Sequence, residues 1–260
     1  MAREPLSKAK FSQFYALRQK KQRQQQQLFV AAGYKLLAEA VAAHWPMQAV
    51  IGTAAALGAL PPSSIPPAGV PCYEATEAQL KLLADQEQPE GVVVLCQLPA
   101  AGPPPPGSPD ACLLLQGVAD PGNLGTLLRS AAWFGLRQVL CGPGCADAYN
   151  AKAVRATMGA IFRLQLGYTD DLAGWIAAST QPVWAAHLQG QPLPAVRFRP
   201  GHRLLLGSES HGVEAALLAL PTVQPVHIPG TAGAESLNVA SAGAILLYAW
   251  HQQVFYPHAG

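Results

Sequence analysis

From Ala111 to the C-terminus, short apolar segments alternate with helix-like ones. They read "ACLLLQGV", "NLGTLLRSAAWFG", "LRQVLCG", "NAKAVRATMGAIF", "RLQLGY", "LAGWIAAS", "PVWAAHL", "HRLLLG", "VEAALLAL" and "VQPVHI", and the run closes on "GAESLNVASAGAILLYAW". A strand that continues through a helix into another strand returns parallel to itself only by crossing one face of the sheet. The pattern therefore predicts an α/β domain with a parallel sheet covered on both faces. In such sheets ligands collect outside the carboxyl ends of the strands, which directs attention to the loops after Val118, Leu206 and Ile228.

The chain before this alternation is different in kind. Up to Leu98 it shows helical periodicity over Leu28–His44 and two short apolar strands, "QAVIGT" and "GVVVLCQL", the pattern of a smaller α/β module. Between the two lies "PAAGPPPPGSPD", Pro99 to Asp110, whose prolines cannot donate to a ladder and favour extended geometry. The expected division is 1–98, a linker over 99–110, and 111–260. At 260 residues the chain is long enough for two cores. Half of the residues are hydrophobic and 12% are charged, yet no apolar run reaches spanning length, and the start is basic and polar where a signal peptide has an apolar centre. A soluble cytoplasmic protein with no membrane partner is the expectation.

Charge is unevenly placed. Arg3, Lys8, Lys10, Arg18, Lys20, Lys21 and Arg23 face Glu4 alone before residue 24, seven minus one, or +6, in a chain of net +2. Such a cluster is the footprint of a polyanion-binding arm or of a solvating tail. The five cysteines, Cys72, Cys96, Cys112, Cys141 and Cys145, form an odd set without paired-knuckle spacing, so reduced thiols with a packing role and no metal are expected. Cys141 and Cys145, in "CGPGC", can lie near each other in a turn.

Three loops carry polar residues suited to chemistry. In "ADPGNLGTLLRSAAWFG", Asn123 lies near a helix start and Arg129 follows within two turns. Taken alone, the loop fits a cap and a solvated charge as well as it fits a cleft. In "LLLGSESHGV", Glu209 stands between two glycines after a buried strand, placed either to cap the next helix or to orient a ligand. The third loop, "HIPGTAGAESLN", is rich in residues that let backbone approach a flat ligand. It leads into a helix whose Ala240, Ser241, Ala242, Gly243 and Ala244 leave little side chain between it and its neighbours.

Taken together, Asn-x-Gly-x-x-x-Arg, then Gly-x-Glu-x-x-Gly, then Ile-Pro followed by Ser-Leu-Asn-Val resemble the three motifs of the SpoU (TrmH) family of RNA ribose 2′-O-methyltransferases, in the SPOUT superfamily. The resemblance covers about Cys112 to Gln253 and includes "KAVRATMGAIF". Upstream, "KQRQQQQLFVAAGYKLLAEAV" is similar to the RNA-binding domain many members carry, with Ala32 where the family commonly has an acid. The resemblance implies a deep trefoil knot in the C-terminal domain, S-adenosylmethionine as cofactor, RNA as substrate and a homodimer. It assigns Arg129, Asn123, Glu209, Ser236 and Asn238 to catalysis. It assigns Leu206, Gly207, Ile228, Pro229, Ser236, Leu237 and Asn238 to the cofactor. The resemblance makes Arg129 the central polar residue; a guanidinium is a reluctant base, so its expected role is to orient hydroxyl and phosphate, with proton acceptance an open alternative.

Two other classes fail on inventory. "SESHG" nearly matches a nucleophile elbow, but Ser208 replaces the first glycine and the acid-then-histidine partners are poorly supplied after Ser210. No Gly-x-Gly-x-x-Gly follows a strand, against a dinucleotide oxidoreductase. Ribosomal RNA is the expected substrate, with transfer RNA or a catalytically inactive RNA-binding protein as the alternatives. Removal of residues 1–105 is expected to leave a folded, cofactor-binding domain.

Overall fold

Gly33 splits what periodicity presents as one helix. In the computed structural model, which describes residues 3–100, 102–231 and 236–257, Gly33 has φ +106°, outside any helix and open mainly to glycine. Residues Leu28–Ala32 before it are a strand, and the helix expected over Leu28–His44 is confined to Tyr34–Ala42. The strand pairs antiparallel with a second apolar run, from Leu28 opposite Gln97 to Ala32 opposite Val93. A five-residue apolar run reads alike as buried strand or buried helix, and only its partner decides.

In chain order the elements begin β1 (Arg3–Pro5), α1 (Lys8–Tyr15), α2 (Lys20–Gln26), β2 (Leu28–Ala32), α3 (Tyr34–Ala42) and β3 (Met47–Gly52). They continue α4 (Ala54–Gly58), β4 (Cys72–Glu74), α5 (Glu77–Ala84), β5 (Val92–Gln97), β6 (Cys112–Leu115), α6 (Pro121–Trp133), β7 (Gln138–Cys141) and α7 (Ala151–Ala156). The rest are β8 (Gln165–Tyr168), α8 (Leu172–Ala177), β9 (Val183–Pro192), β10 (Arg203–Leu206), α9 (Ala215–Leu218), β11 (Val223–His227) and α10 (Val239–Phe255). Among the described residues no helix is long and apolar enough to cross a membrane.

The chain forms two compact units, and they divide it differently from a single cut in the proline-rich stretch. The first is Met1–Ala100 together with Asp147–Phe162; the second is Ala101–Ala146 with Arg163–Gly260. The first unit holds a mixed sheet in the order β1-β4-β3-β5-β2. On one face Phe29, Leu36, Leu37 and Val94 pack with Val154, Ile161 and Phe162 from the returning segment, where the rings of Phe29 and Tyr149 lie 5.0 Å apart. The stretch "KAVRATMGAIF", expected in the second domain, is thus core of the first unit. It is α-helical over α7, turns through Met158 and Gly159 at positive φ, and ends in a 3-10 turn over Ala160–Arg163.

The same packing consumes much of the N-terminal charge. Arg23 is 4% exposed; its guanidinium is paired with Asp147 and donates to the carbonyls of Leu17 at 2.7 Å and Arg18 at 2.9 Å. Arg18 pairs with Asp85, Lys10 donates to the Tyr73 hydroxyl at 2.6 Å, and Arg3 donates to the Leu57 carbonyl at 3.1 Å. Arg3, Lys10, Arg18 and Arg23 are therefore engaged within the fold, as is Lys20.

The second unit holds a six-stranded sheet in the order β11-β9-β10-β6-β7-β8, with every pair parallel. The order reverses between β6 and β10: β7 and β8 lie to one side, β9 and β11 to the other. The proline-rich stretch is built into this unit. Arg203, fully buried on β10, donates to the carbonyls of Ser108 at 2.7 Å and Pro106 at 3.2 Å, to that of Gly201 at 2.6 Å, and also to that of Asp110. Trp175 Nε1 donates to the Pro104 carbonyl at 2.8 Å. Prolines leave their neighbours' carbonyls without local donors, and a planar guanidinium with five N–H groups can collect several at once.

Candidate active site at the strand ends

The reversal of strand order places the loop after β6 beside the loop after β10, the crevice where open α/β sheets bind ligands. Asp120 starts α6: its backbone is extended and its carboxylate accepts from the Asn123 amide at 2.9 Å. The cap is therefore Asp120, not Asn123, and the Asn123 side chain is free for other work. Asp followed by Pro121 is a helix-start signature that the sequence carried.

Loop 208–212 is a closed turn. Ser208 and Gly212 exchange two backbone hydrogen bonds of 3.0 and 2.9 Å, and Ser208 Oγ accepts from the His211 amide at 3.1 Å. A Cβ on Gly207 would stand 2.0 Å from the Gly212 backbone, so the close approach admits only glycine there. Behind it, Gln116 Oε1 accepts from the Glu214 amide at 3.1 Å; this buried glutamine was visible in the sequence only as a polar residue closing an apolar run. Glu209 does not cap the next helix, since the N-cap position of α9 is Glu214.

Asn238 starts α10. Its Oδ1 accepts from the amides of Ala240 at 2.9 Å and Ser241 at 3.3 Å, which turns Nδ2 outward. That Nδ2 donates to Glu209 Oε1 at 2.8 Å and Asn123 Oδ1 at 3.2 Å. Asn123 Nδ2 donates to the same Glu209 oxygen at 2.6 Å. Half-buried Asn123 and exposed Glu209 and Asn238, from three separate strand ends, thus close a triangle on one carboxylate oxygen. The two polar groups at the start of the last helix have separate fates: Asn238 caps and reaches across, while Ser236 lies exposed ahead of the helix. The opening residues 232–235 of that stretch lie outside the described residues. Gly243, one turn in, lets α10 approach; a Cβ there would stand 2.3 Å from Leu127 and 2.7 Å from Leu206.

Arg129 is exposed and makes no hydrogen bond or ion pair among the described residues. Six helical steps turn it about 120° around the axis from Asn123, so α6 does not bring the two onto one face. It shares a face instead with Trp133, four residues on, which is 83% exposed.

The cofactor candidates line the ends of β10 and β11. Leu206 and Gly207 are buried, Ile228 is half-buried, Pro229 is exposed, and Leu237 is 50% exposed beside the Asn238 cap. A side-chain-free glycine next to open apolar surface fits a flat nucleoside such as that of S-adenosylmethionine.

Known proteins share both the sequence and the fold of this chain. Residues 110–248 match the model of the SpoU rRNA Methylase family, and residues 9–94 match the MRM3-like substrate binding domain. The chain is 34% identical over 187 residues to a 23S rRNA (guanosine(2553)-2′-O)-methyltransferase of Bacillus subtilis, covering 69% of this chain and 72% of that one. The AdoMet-bound crystal structure of an rRNA methyltransferase from Sinorhizobium meliloti superposes with TM-score 0.81 at 26% identity, over 97% of each chain. The structure of an RNA 2′-O ribose methyltransferase does so with TM-score 0.78 at 27% identity, over 97% of this chain and 99% of that one. The chain belongs to the SpoU rRNA methylase family. It is an S-adenosylmethionine-dependent RNA 2′-O-ribose methyltransferase.

Proposed function

We propose that the hydroxyl methylated is a ribose 2′-OH of ribosomal RNA, at the carboxyl ends of β6, β10 and β11. The observation that carries the site is the convergence of Asn123, Glu209 and Asn238 on one oxygen, from the three loops that hold the family's motifs. When bound, S-adenosylmethionine supplies an electrophilic methyl group. Leu206, Gly207, Ile228, Pro229 and Leu237 hold it, with Ser236 and Asn238 at its polar side. The Glu209 carboxylate fixes the two asparagines, and through them the starts of α6 and α10, so that acceptor and donor loops keep their spacing; positioning of this kind is worth several powers of ten in rate. Arg129 orients the ribose hydroxyl and an adjacent phosphate.

The position of Arg129 supports a homodimer. Of the apolar residues on α6 and α10, Leu127, Leu128, Leu246, Leu247 and Trp250 fill the chain's own core, whereas Trp133 and Tyr248 stay exposed at 83% and 53%. A two-fold interface over that patch buries Trp133 and carries Arg129, on the same face, toward the partner's cleft. The close passage of α10 at Gly243 supports a knotted chain end, and the first unit is read as the RNA-holding module. The protein works in the cytoplasm. Ribose-methylation mapping of RNA from cells with and without the protein tests the substrate. Loss of a single ribosomal mark is expected, and loss confined to transfer RNA would overturn it. Light scattering tests the dimer against a 27.3 kDa monomer.

A further inference from the structure

Beyond the reacting loops, the second unit holds a pair of thiols that methyl transfer does not use. β6 and β7 pair with Leu115 opposite Cys141, and the chain past β7 folds back onto the chain past β6. Gly142 donates to the Leu115 carbonyl at 2.7 Å, Gly117 to that of Pro143 at 2.9 Å, and Ala146 to that of Val118 at 2.9 Å. Gly117 and Gly144 take φ of +67° and +77°, and a Cβ on Gly144 would stand 3.1 Å from Gly117. The turn brings Cys145 back over Cys141, so the two thiols hydrogen-bond to each other, while Cys145 Sγ also lies 3.3 Å from the Leu115 carbonyl. Cys141 is buried; Cys145 is partly open to solvent.

The two thiols are unequal. The hydrogen bond from Cys141, with the backbone amides of Val118, Gly117 and Gly142, holds the Cys145 thiol below its ordinary range against the effect of burial. The same hydrogen bond and burial push Cys141 up. Burial drives Cys112 to about 12, against the opposing effects of Arg203 and the Leu140 backbone, and by itself pushes Cys96 higher still. A solvent-reached thiol held below its ordinary range, beside a second thiol, is the arrangement that oxidants select.

We propose that Cys145 is a site of oxidation by hydroperoxides, with Cys141 as its resolving thiol. The Cys145 thiolate attacks a peroxide oxygen; an S–O bond forms, the O–O bond breaks, and the leaving alkoxide or hydroxide takes a proton from water. The sulfur is oxidised to the sulfenic acid and the peroxide is reduced. Cys141 then attacks that sulfur; an S–S bond forms and hydroxide leaves, taking the Cys141 proton as water. Two thiols and one hydroperoxide give one disulfide, one alcohol and one water.

The disulfide reaches the active site through packed loops. Closing the sulfurs to about 2.05 Å draws Cys145 off the Leu115 carbonyl and pulls on the Gly117 and Val118 pairings. Gly117 has Ser208 against it, where a Cβ would stand 3.0 Å from the Ser208 side chain, and Ser208 precedes Glu209. Val118 leads directly to Asp120 and Asn123. Displacing both sides of the triangle lowers methyl transfer by about tenfold or more.

The full-length protein is treated with hydrogen peroxide, alkylated and digested, and the peptide Gln138–Lys152 is weighed. A species two hydrogens lighter, reverted by dithiothreitol together with the lost turnover on transcribed ribosomal RNA, is expected. Cys141→Ser stops the sequence at the sulfenic acid, which dimedone labels at Cys145. Cys145→Ser and Cys145→Ala keep basal turnover and lose its peroxide sensitivity. Labelling of Cys145 no greater than that of Cys72 or Cys112 overturns the site, and a disulfide that leaves turnover unchanged overturns its coupling to the site. The mass readout stands whichever RNA is the substrate.

Discussion

Two arginines of the second unit have opposite situations. Arg203 is fully buried, and backbone carbonyls of Pro106, Ser108, Asp110 and Gly201 surround its guanidinium. Arg129 stands on α6 in solvent with no partner among the described residues. The first gives both terminal nitrogens of its guanidinium to backbone carbonyls, with only Nε left unpartnered among the described residues, and gives the proline-rich stretch a fixed seat. The second keeps all of its donors for something outside the described chain. Arg23 repeats the first situation in the N-terminal unit, where Asp147 and two carbonyls occupy it. The lesson is that a basic residue is a candidate for RNA or catalysis only after the fold's own demands are met.

The broadest test takes away packing partners rather than a single side chain. Deletion of residues 1–105, which the sequence pattern suggests leaves a folded, cofactor-binding domain with most RNA affinity lost, strips Val154, Ile161 and Phe162 of their core partners and takes away the Pro104 carbonyl that Trp175 uses. An insoluble or molten product is expected, read by near-ultraviolet circular dichroism. A native, cofactor-binding fragment would show that the 147–162 segment does not need the rest of the first unit.

Arg129→Ala should leave unfolding and cofactor affinity as in the wild type while methyl transfer falls by roughly a thousandfold, about 4 kcal/mol of transition-state stabilisation. Wild-type turnover would place Arg129 outside the chemistry. Arg203→Leu should invert that result: a loss of about 3–5 kcal/mol in denaturant unfolding, since several buried carbonyls lose their donor, with near-normal turnover per folded molecule in the cold. Lost turnover at full stability would erase the distinction between the two arginines.

Asn238→Ser sharpens the comparison within one residue. Serine caps a helix about as well as asparagine but has no amide to offer Glu209, so about a tenfold fall in turnover, some 1.4 kcal/mol, is expected at nearly unchanged stability. An unaffected rate would leave Asn238 a cap and nothing more. Asp120→Ala, a cap that touches no ligand, should cost about 1 kcal/mol of stability and change turnover least of all.

Much of this was legible in the sequence. Alternating apolar strands and helices gave the parallel sheet, because side-chain periodicity follows from backbone geometry within one element. The motifs named Asn123, Glu209 and Asn238. Neither could say that Leu28–Ala32 is a strand, because that depended on a partner 65 residues away, Val93 to Gln97.

Sequence by itself determined that strands and helices alternate in the second unit, and which polar residues lie where the strands end. Only the tertiary structure decided that Asp120 relieves Asn123 of capping, that Asn238 caps and reaches Glu209 at once, that "KAVRATMGAIF" belongs to the first unit's core, and that the proline-rich stretch is seated on Arg203. The reason is the range of the forces involved. Propensity and periodicity act over one or two turns, whereas the bonds that join Asn123 to Glu209 and Glu209 to Asn238 span 86 and 29 residues. They exist because β6 and β10 are neighbours in the sheet.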